Sequence, residues 1–158
     1  MAYIYPAPGV TGVQATLSVS IASNASDTGM AVPAMQDVTV NAANDVFTWT
    51  QLDQGSKLQI ATTATNSLSM NIVLDQDTFF GDGTDPATDA EHKGIFGLSS
   101  DKDLVDFELY LGDTSTGTEG KTISGQGYVT GLAPTVSADS PVWVSPITIT
   151  VTGDYTVA

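Results

Sequence analysis

The densest group of ionisable side chains runs from Asp75 to His92. Asp75, Asp77, Asp82, Asp85, Asp89 and Glu91 lead up to the chain's one histidine. Oxygen-rich loops with glycine bind calcium, but an EF-hand loop wants a third ligand and then a glycine where this chain has Thr78 and Phe79. The spacing reads instead as a solvated loop that runs into a helix cap. His92 sits beside Glu91, with no serine or cysteine near it in a nucleophile signature. The carboxylate pairs Asp75/Asp77 and Asp106/Glu108 suit acid–base work only inside a pocket that drives their pKa values apart. The chain has no arginine to hold an oxyanion, no glycine-rich phosphate loop and no metal-ligand spacing. The expectation is a protein that is not an enzyme and holds no cofactor or metal.

Charge is the strongest bias. Eighteen acidic residues face four lysines (Lys57, Lys93, Lys102 and Lys121), for a net charge of −14. Gripping phosphates needs Lys and Arg to release counterions, so groove-reading of nucleic acid and adhesion to anionic membranes are both disfavoured. The acids also keep copies of the chain soluble. Yet 41% of residues are hydrophobic and only 14% are charged, so burial can offset conformational entropy and the chain is not disorder-like. At 158 residues it fits one domain, 1–158, that needs no staple, and it contains no cysteine. No run of about 18 apolar residues exists to span a membrane as a helix. Met1 to Pro6 lacks the basic start and apolar core of a signal peptide, so the chain is expected to stay where it is made.

A period of two dominates the elements that must carry these residues. Val13, Ala15, Leu17, Val19 and Ile21 alternate with polar or small residues, as in a strand with one wet face. Further strands are expected at 46–50, 57–62, 68–74, 104–111, 121–132, 142–151 and 154–157, with a turn at Asp53-Gln54-Gly55. In 104–111, Val105, Phe107, Leu109 and Leu111 form an apolar face, while Asp106 and Glu108 lie on the other. Gly125 and Gly127 mark a bulge or a close backbone approach, and Pro146 marks an edge or a bulged start. One short helix is expected between Pro86 and Leu98, capped by Asp85 or Thr84 and leaving near Gly97. Stretches 22–30 and 112–120 read as loops. Phe47, Trp49, Phe79, Phe80, Phe107, Tyr128 and Trp143 fit core packing or a subunit interface better than a sugar platform. The fold class is all-β with one short helix.

The second half carries a resemblance. Phe80-Gly81 and the acidic stretch Asp82 to His92 lead to Gly94-Ile95-Phe96-Gly97-Leu98, and the strand Leu104 to Leu111 follows. Ile123-Ser124-Gly125-Gln126-Gly127-Tyr128-Val129-Thr130-Gly131-Leu132 and Ala138-Asp139-Ser140-Pro141-Val142 come next. Ile147-Thr148-Ile149-Thr150-Val151-Thr152-Gly153-Asp154-Tyr155-Thr156-Val157 closes the series. This order resembles the tail tube (major tail) proteins of tailed bacteriophages, over residues 80–158. The resemblance implies two packed antiparallel sheets, a β-sandwich or partial barrel, flanked by a helix. It implies a ring-shaped, hexameric homo-oligomer with an inner β-barrel, and rings stacked into a tube through loops and an N-terminal arm. Residues 1–11 suit that arm, with Tyr3, Ile4, Tyr5 and Pro6 as candidate assembly residues. Loops 22–30 and 112–120 suit segments that order on stacking.

Under this resemblance the acidity gains a use. DNA that passes through a pore must not stick, and a wall without basic groups denies phosphates their partners. Asp106 and Glu108 are the candidate lumen acids. The implied partners are further copies of the chain, other phage tail proteins, and DNA conducted without specific binding, in a virion assembled in the host cytoplasm. A β-sandwich binding module, carbohydrate- or calcium-dependent, is the alternative from another class. Another virion part, such as a capsid decoration protein, is a third.

Overall fold

Apolar–polar alternation builds most of the molecule into one antiparallel sheet. The structure, a computed structural model, describes residues 15–32, 35–53, 55–112, 120–139 and 142–158. The candidate arm 1–11, with Tyr3, Ile4, Tyr5 and Pro6, and most of the loop 112–120 lie outside these residues. The strands are β1 (Ala15–Ile21), β2 (Met30–Val32), β3 (Met35–Asn41), β4 (Asn44–Trp49), β5 (Leu58–Thr63) and β6 (Asn66–Val73). Two helices, α1 (Gln76–Phe80) and α2 (Ala90–Ser100), precede β7 (Val105–Gly112), β8 (Gly120–Leu132) and β9 (Val144–Val157). Seven strands pair in the order β2-β1-β7-β8-β9-β6-β3, and β4 and β5 pair with each other.

β2 and β3 are opposite edges of the sheet, yet only residues 33 and 34 separate them in sequence. Three Cα steps from Val32 to Met35 reach at most about 11 Å, so the sheet must curl until its edges approach. The result is a half-barrel, the partial-barrel form of the expected all-β fold. Its concave core holds Leu17 and Val19 of β1, Leu68, Met70 and Ile72 of β6, Val105, Phe107 and Leu109 of β7, and Ile147 and Ile149 of β9. Phe79, Ile95 and Leu98 of the helices close it.

The expected strands are present, and two details differ. β2 and β3 offer only short runs of alternation: β2 is three residues long, and after the register shift between Met35 and Asp37 only Val38 and Val40 keep the period in β3. The two expected C-terminal strands are one 14-residue strand. Gly153, at φ 85°, lets that strand carry an irregular stretch against β8 without ending. Gly125 also lies in a register shift, and a Cβ on Gly127 would stand 2.4 Å from the Thr150 carbonyl oxygen. The bulge and the close approach are therefore both present. Pro146 pairs with Asn71 of β6, one residue outside the β8 ladder, where a missing N–H costs least.

The helical region differs more. An additional short helix, α1, is capped by Asp75, whose carboxylate accepts from the Thr78 N–H at 3.1 Å. α2 starts at Ala90 rather than near Pro86, and neither Asp85 nor Thr84 caps it. Its preceding residue, Asp89, makes no side-chain cap bond. Asp27, 63 residues away, accepts from the Ala90 N–H at 2.9 Å instead. Sequence-local capping rules cannot find such a cap. α2 is broken at Gly94 (φ 69°), where a Cβ would stand 2.3 Å from the Gly81 nitrogen, so the two helices touch backbone to backbone.

Candidate assembly surfaces

Curling the sheet buries one face and leaves the other to solvent. The outer-facing positions read Thr16, Ser18 and Ser20 on β1, Asp106, Glu108 and Tyr110 on β7, and Ser124, Gln126, Tyr128 and Thr130 on β8. Thr148, Thr150 and Thr152 of β9 and Ser67, Ser69 and Asn71 of β6 continue it. Short hydroxyl side chains dominate because a strand needs β-compatible residues even where it faces water. The charged strand residues on this face are Asp37, Asp106, Glu108 and Asp154, all acidic. Asp37 accepts from the Asn71 side chain at 2.9 Å, and Asp106 accepts from Gln126 Nε2 at 2.7 Å. Ser18, Ser20, Asp106, Glu108, Ser124 and Gln126 line an open hollow of about 480 Å³, bordered by Thr28 and Gly29. Asp106 and Glu108 are thus neighbours on one polar face, as their alternation requires.

The acidic stretch before His92 is dispersed among local tasks. Asp75 caps α1, and the Thr78 backbone and hydroxyl donors hold its carboxyl below the usual range. Asp82 accepts from the Thr84 N–H at 2.9 Å, which likewise lowers its pKa. Asp89 accepts from Asn24 Nδ2 at 2.8 Å. His92 lies between Asp82 and Asp89, 3.7 Å and 3.8 Å from their carboxylates. Among the described residues no three potential metal ligands converge. Lys93 bridges Asp103 at 2.6 Å and Asp101 at 2.9 Å, and those bonds raise its pKa.

Loop 22–29, within the stretch 22–30 expected to order on stacking, is hydrogen-bonded to β1, to itself and to α2. Asp27 accepts from the N–H groups of Ile21 (2.8 Å), Gly29 (2.9 Å) and Ala90. Burial disfavours this carboxylate, but the three donors, with His92 nearby, outweigh it and hold its pKa below the ordinary value. Asn24 adds a bond to the Thr88 carbonyl at 3.0 Å.

The aromatic residues sort into two classes that their strand positions alone do not separate. Phe79 and Phe107 are core. Phe47, Phe80, Tyr128 and Trp143 are exposed, at 60%, 47%, 41% and 50%. Phe47 belongs to the β4–β5 hairpin, which stands away from the sheet. The β3–β6 ladder pairs Asn41 with Ser67, whereas β4–β5 pairs Asn44 with Thr63, so the second strand carries one extra residue at the hairpin's root. Asn66 Oδ1 accepts from the Ala43 N–H there at 2.8 Å. One face of the hairpin gathers Phe47, Trp49, Leu58 and Ile60, with Phe47 and Trp49 stacked 6.0 Å apart. A two-stranded ribbon is marginal in water by itself, and this apolar face leaves Phe47 and Ile60 exposed.

No protein-family description matches the chain, and no curated protein matches its sequence. Solved structures match it in shape. The SPP1 tail tube shares 12% identity with a TM-score of 0.63, covering 94% of this chain and 78% of its own. The sheath/tube terminator of an extracellular contractile injection system (PVC) shares 15% identity with a TM-score of 0.59, covering 99% of both chains. The tail of a gene transfer agent particle, determined with C6 symmetry, shares 11% identity with a TM-score of 0.59, over 90% of this chain and 95% of its own. The chain has the tail-tube fold.

Proposed function

We propose that this protein is a structural, non-catalytic subunit of a phage-type tail, one that forms rings and, by stacking them, a tube. The observation that carries the reading is the fold itself, shared over 94% of this chain with a tail tube and over 99% of it with a tube terminator. The partners are further copies of the chain and other tail proteins, and the place of action is the virion tail. Hexameric rings are favoured by the C6 symmetry of the gene transfer agent tail.

In this reading the polar sheet face lines the lumen, and Asp106 and Glu108 belong to its wall. All four of its charged strand residues are acidic, so DNA phosphates find no cation there to bind. Screening beyond about 8 Å leaves only such wall residues relevant to the passing strand. The exposed aromatics cluster at separate parts of the molecule instead of forming the single flat platform that a carbohydrate module requires.

A tube terminator is the second reading, favoured by the 99% mutual coverage with the PVC terminator. Negative-stain electron microscopy of the purified protein across a concentration series tests both. Long hollow tubes support the tube subunit, and isolated rings that never stack support the terminator. A monodisperse monomer at millimolar concentration overturns both.

A further inference from the structure

The topology brings the chain before β1 toward the root of the β4–β5 hairpin. Every neighbouring pair of strands in the large sheet is antiparallel, so β2 and β3 both run opposite to β1. Val32 pairs with Leu17, and Met35 is three Cα steps beyond Val32, within about 11 Å of it. From Met35, β3 leads to Asn41 at the hairpin root, in the same direction as the chain N-terminal to Leu17. Asn41 is six residues beyond Met35, and residue 11 is six before Leu17. An extended chain therefore brings residue 11 level with the hairpin root. Residues 3–10 then reach about 27 Å, more than the roughly 20 Å of the hairpin's six-residue strands.

Composition suits the same contact. None of the first 14 residues is charged, in a chain whose net charge is −14. The hairpin carries Asp45, Asp53 and Lys57, a net negative charge, so an uncharged segment approaches it without repulsion. In Tyr5-Pro6-Ala7-Pro8 the prolines fix φ at two positions and favour extended backbone at the residues before them. Such segments dock on aromatic surfaces because they have little conformational entropy left to lose. Phe47 and Trp49, stacked 6.0 Å apart, are such a surface, and Leu58 and Ile60 widen it across the ladder.

We infer that in the free subunit residues 3–8 lie across the Phe47/Trp49 face of the same chain's hairpin and shield it from other copies. The contact is intramolecular and independent of the tail-tube reading. Its consequence, a check on premature self-assembly that is lifted when the segment leaves the hairpin, rests on that reading.

The absence of cysteine makes the test direct. Tyr3→Cys, Tyr5→Cys and Ala7→Cys are each paired with Ile60→Cys in the full chain, oxidised at low micromolar concentration and run on non-reducing gels. At least one pair is expected to close within the chain, giving a faster-migrating monomer whose yield does not depend on concentration. With Trp143→Phe leaving Trp49 as the one tryptophan, Tyr3→Ser/Ile4→Ser/Tyr5→Ser is expected to raise acrylamide quenching of Trp49 at least twofold. The oxidised pair is expected to stay monomeric in a concentration series where the reduced form makes rings, and dithiothreitol restores assembly. No intrachain disulfide from any pair, or unchanged Trp49 quenching, overturns the contact. Disulfides only between chains, with a yield that grows with concentration, assign the segment to a second copy and also overturn it. A closed disulfide that leaves assembly unchanged overturns the check on assembly. A closed disulfide with no rings in either redox state supports the contact and defeats the tail-tube reading.

Discussion

The Tyr155 hydroxyl donates to the Asn41 carbonyl at 2.8 Å, across 114 residues of sequence, and the same hydroxyl lies 3.0 Å from the Ser67 carbonyl. Asn41 and Ser67 are the last pair of the β3–β6 ladder before the hairpin departs. The phenol ring packs edge-on to Phe107 in the core, 6.3 Å between centroids. Tyr155 therefore fastens the root of the projecting hairpin to the centre of the sheet. Rigidity at that root sets where Phe47 and Trp49 point.

Tyr155→Phe keeps the ring packing and removes only the shared hydrogen bond. It is expected to cost about 1 kcal/mol in urea unfolding, with faster amide exchange at the hairpin root than elsewhere. Burial raises the phenol's pKa above its ordinary 10.0, so the folded state holds this proton more tightly. Its stabilisation is complete below pH 10 and falls as pH rises through the folded value. The phenylalanine variant is expected to lose that part of the alkaline decline. An identical decline in both proteins counts against the role.

Asp27 supplies the opposite pH dependence. Its carboxylate holds three backbone N–H groups, and its folded pKa lies below the ordinary 3.8. Its stabilisation is present above about pH 4 and is lost as pH falls through the lower folded value. Asp27→Ala leaves donors unpaired and is expected to cost about 2 kcal/mol at pH 7, and the gap to wild type narrows in acid. Denaturant melts from pH 2.5 to 7 check this, and a gap independent of pH contradicts it.

Gly127→Ala tests the close approach of β8 and β9. The added methyl meets the Thr150 carbonyl oxygen at 2.4 Å and Ile149 Cγ2 at 2.9 Å. Backbone must shift in the longest ladder of the sheet, at an expected cost of about 1–3 kcal/mol. Gly55→Ala, where nothing lies within 4 Å of the new carbon, is the control and is expected to stay within about 0.5 kcal/mol.

Asp106→Lys/Glu108→Lys tests the proposed lumen. Both side chains lie on a polar face outside the core, so folding and assembly are expected to persist. Tubes carrying the lysines are expected to retain DNA in salt-dependent fashion and to slow its ejection. Ejection at the wild-type rate places these residues away from the DNA path.

The sequence by itself determined the strands whose apolar positions alternate without interruption, such as 15–21 and 105–111, because side-chain period is a local property of extended backbone. It also determined the acidic, arginine-free character of the chain and the special positions of Gly125, Gly127 and Pro146. Where a bulge breaks the period, as between Met35 and Asp37, the local signal shrinks to Val38 and Val40, too short a run to mark β3. Tertiary structure alone decided that Asp27 caps a helix 63 residues away and that Tyr155 holds Asn41. It also decided that Phe107 is core while Phe47, on an equally regular strand, is exposed. Burial depends on what packs against a strand, and in this chain that depends on where a curled sheet ends and the hairpin leaves it.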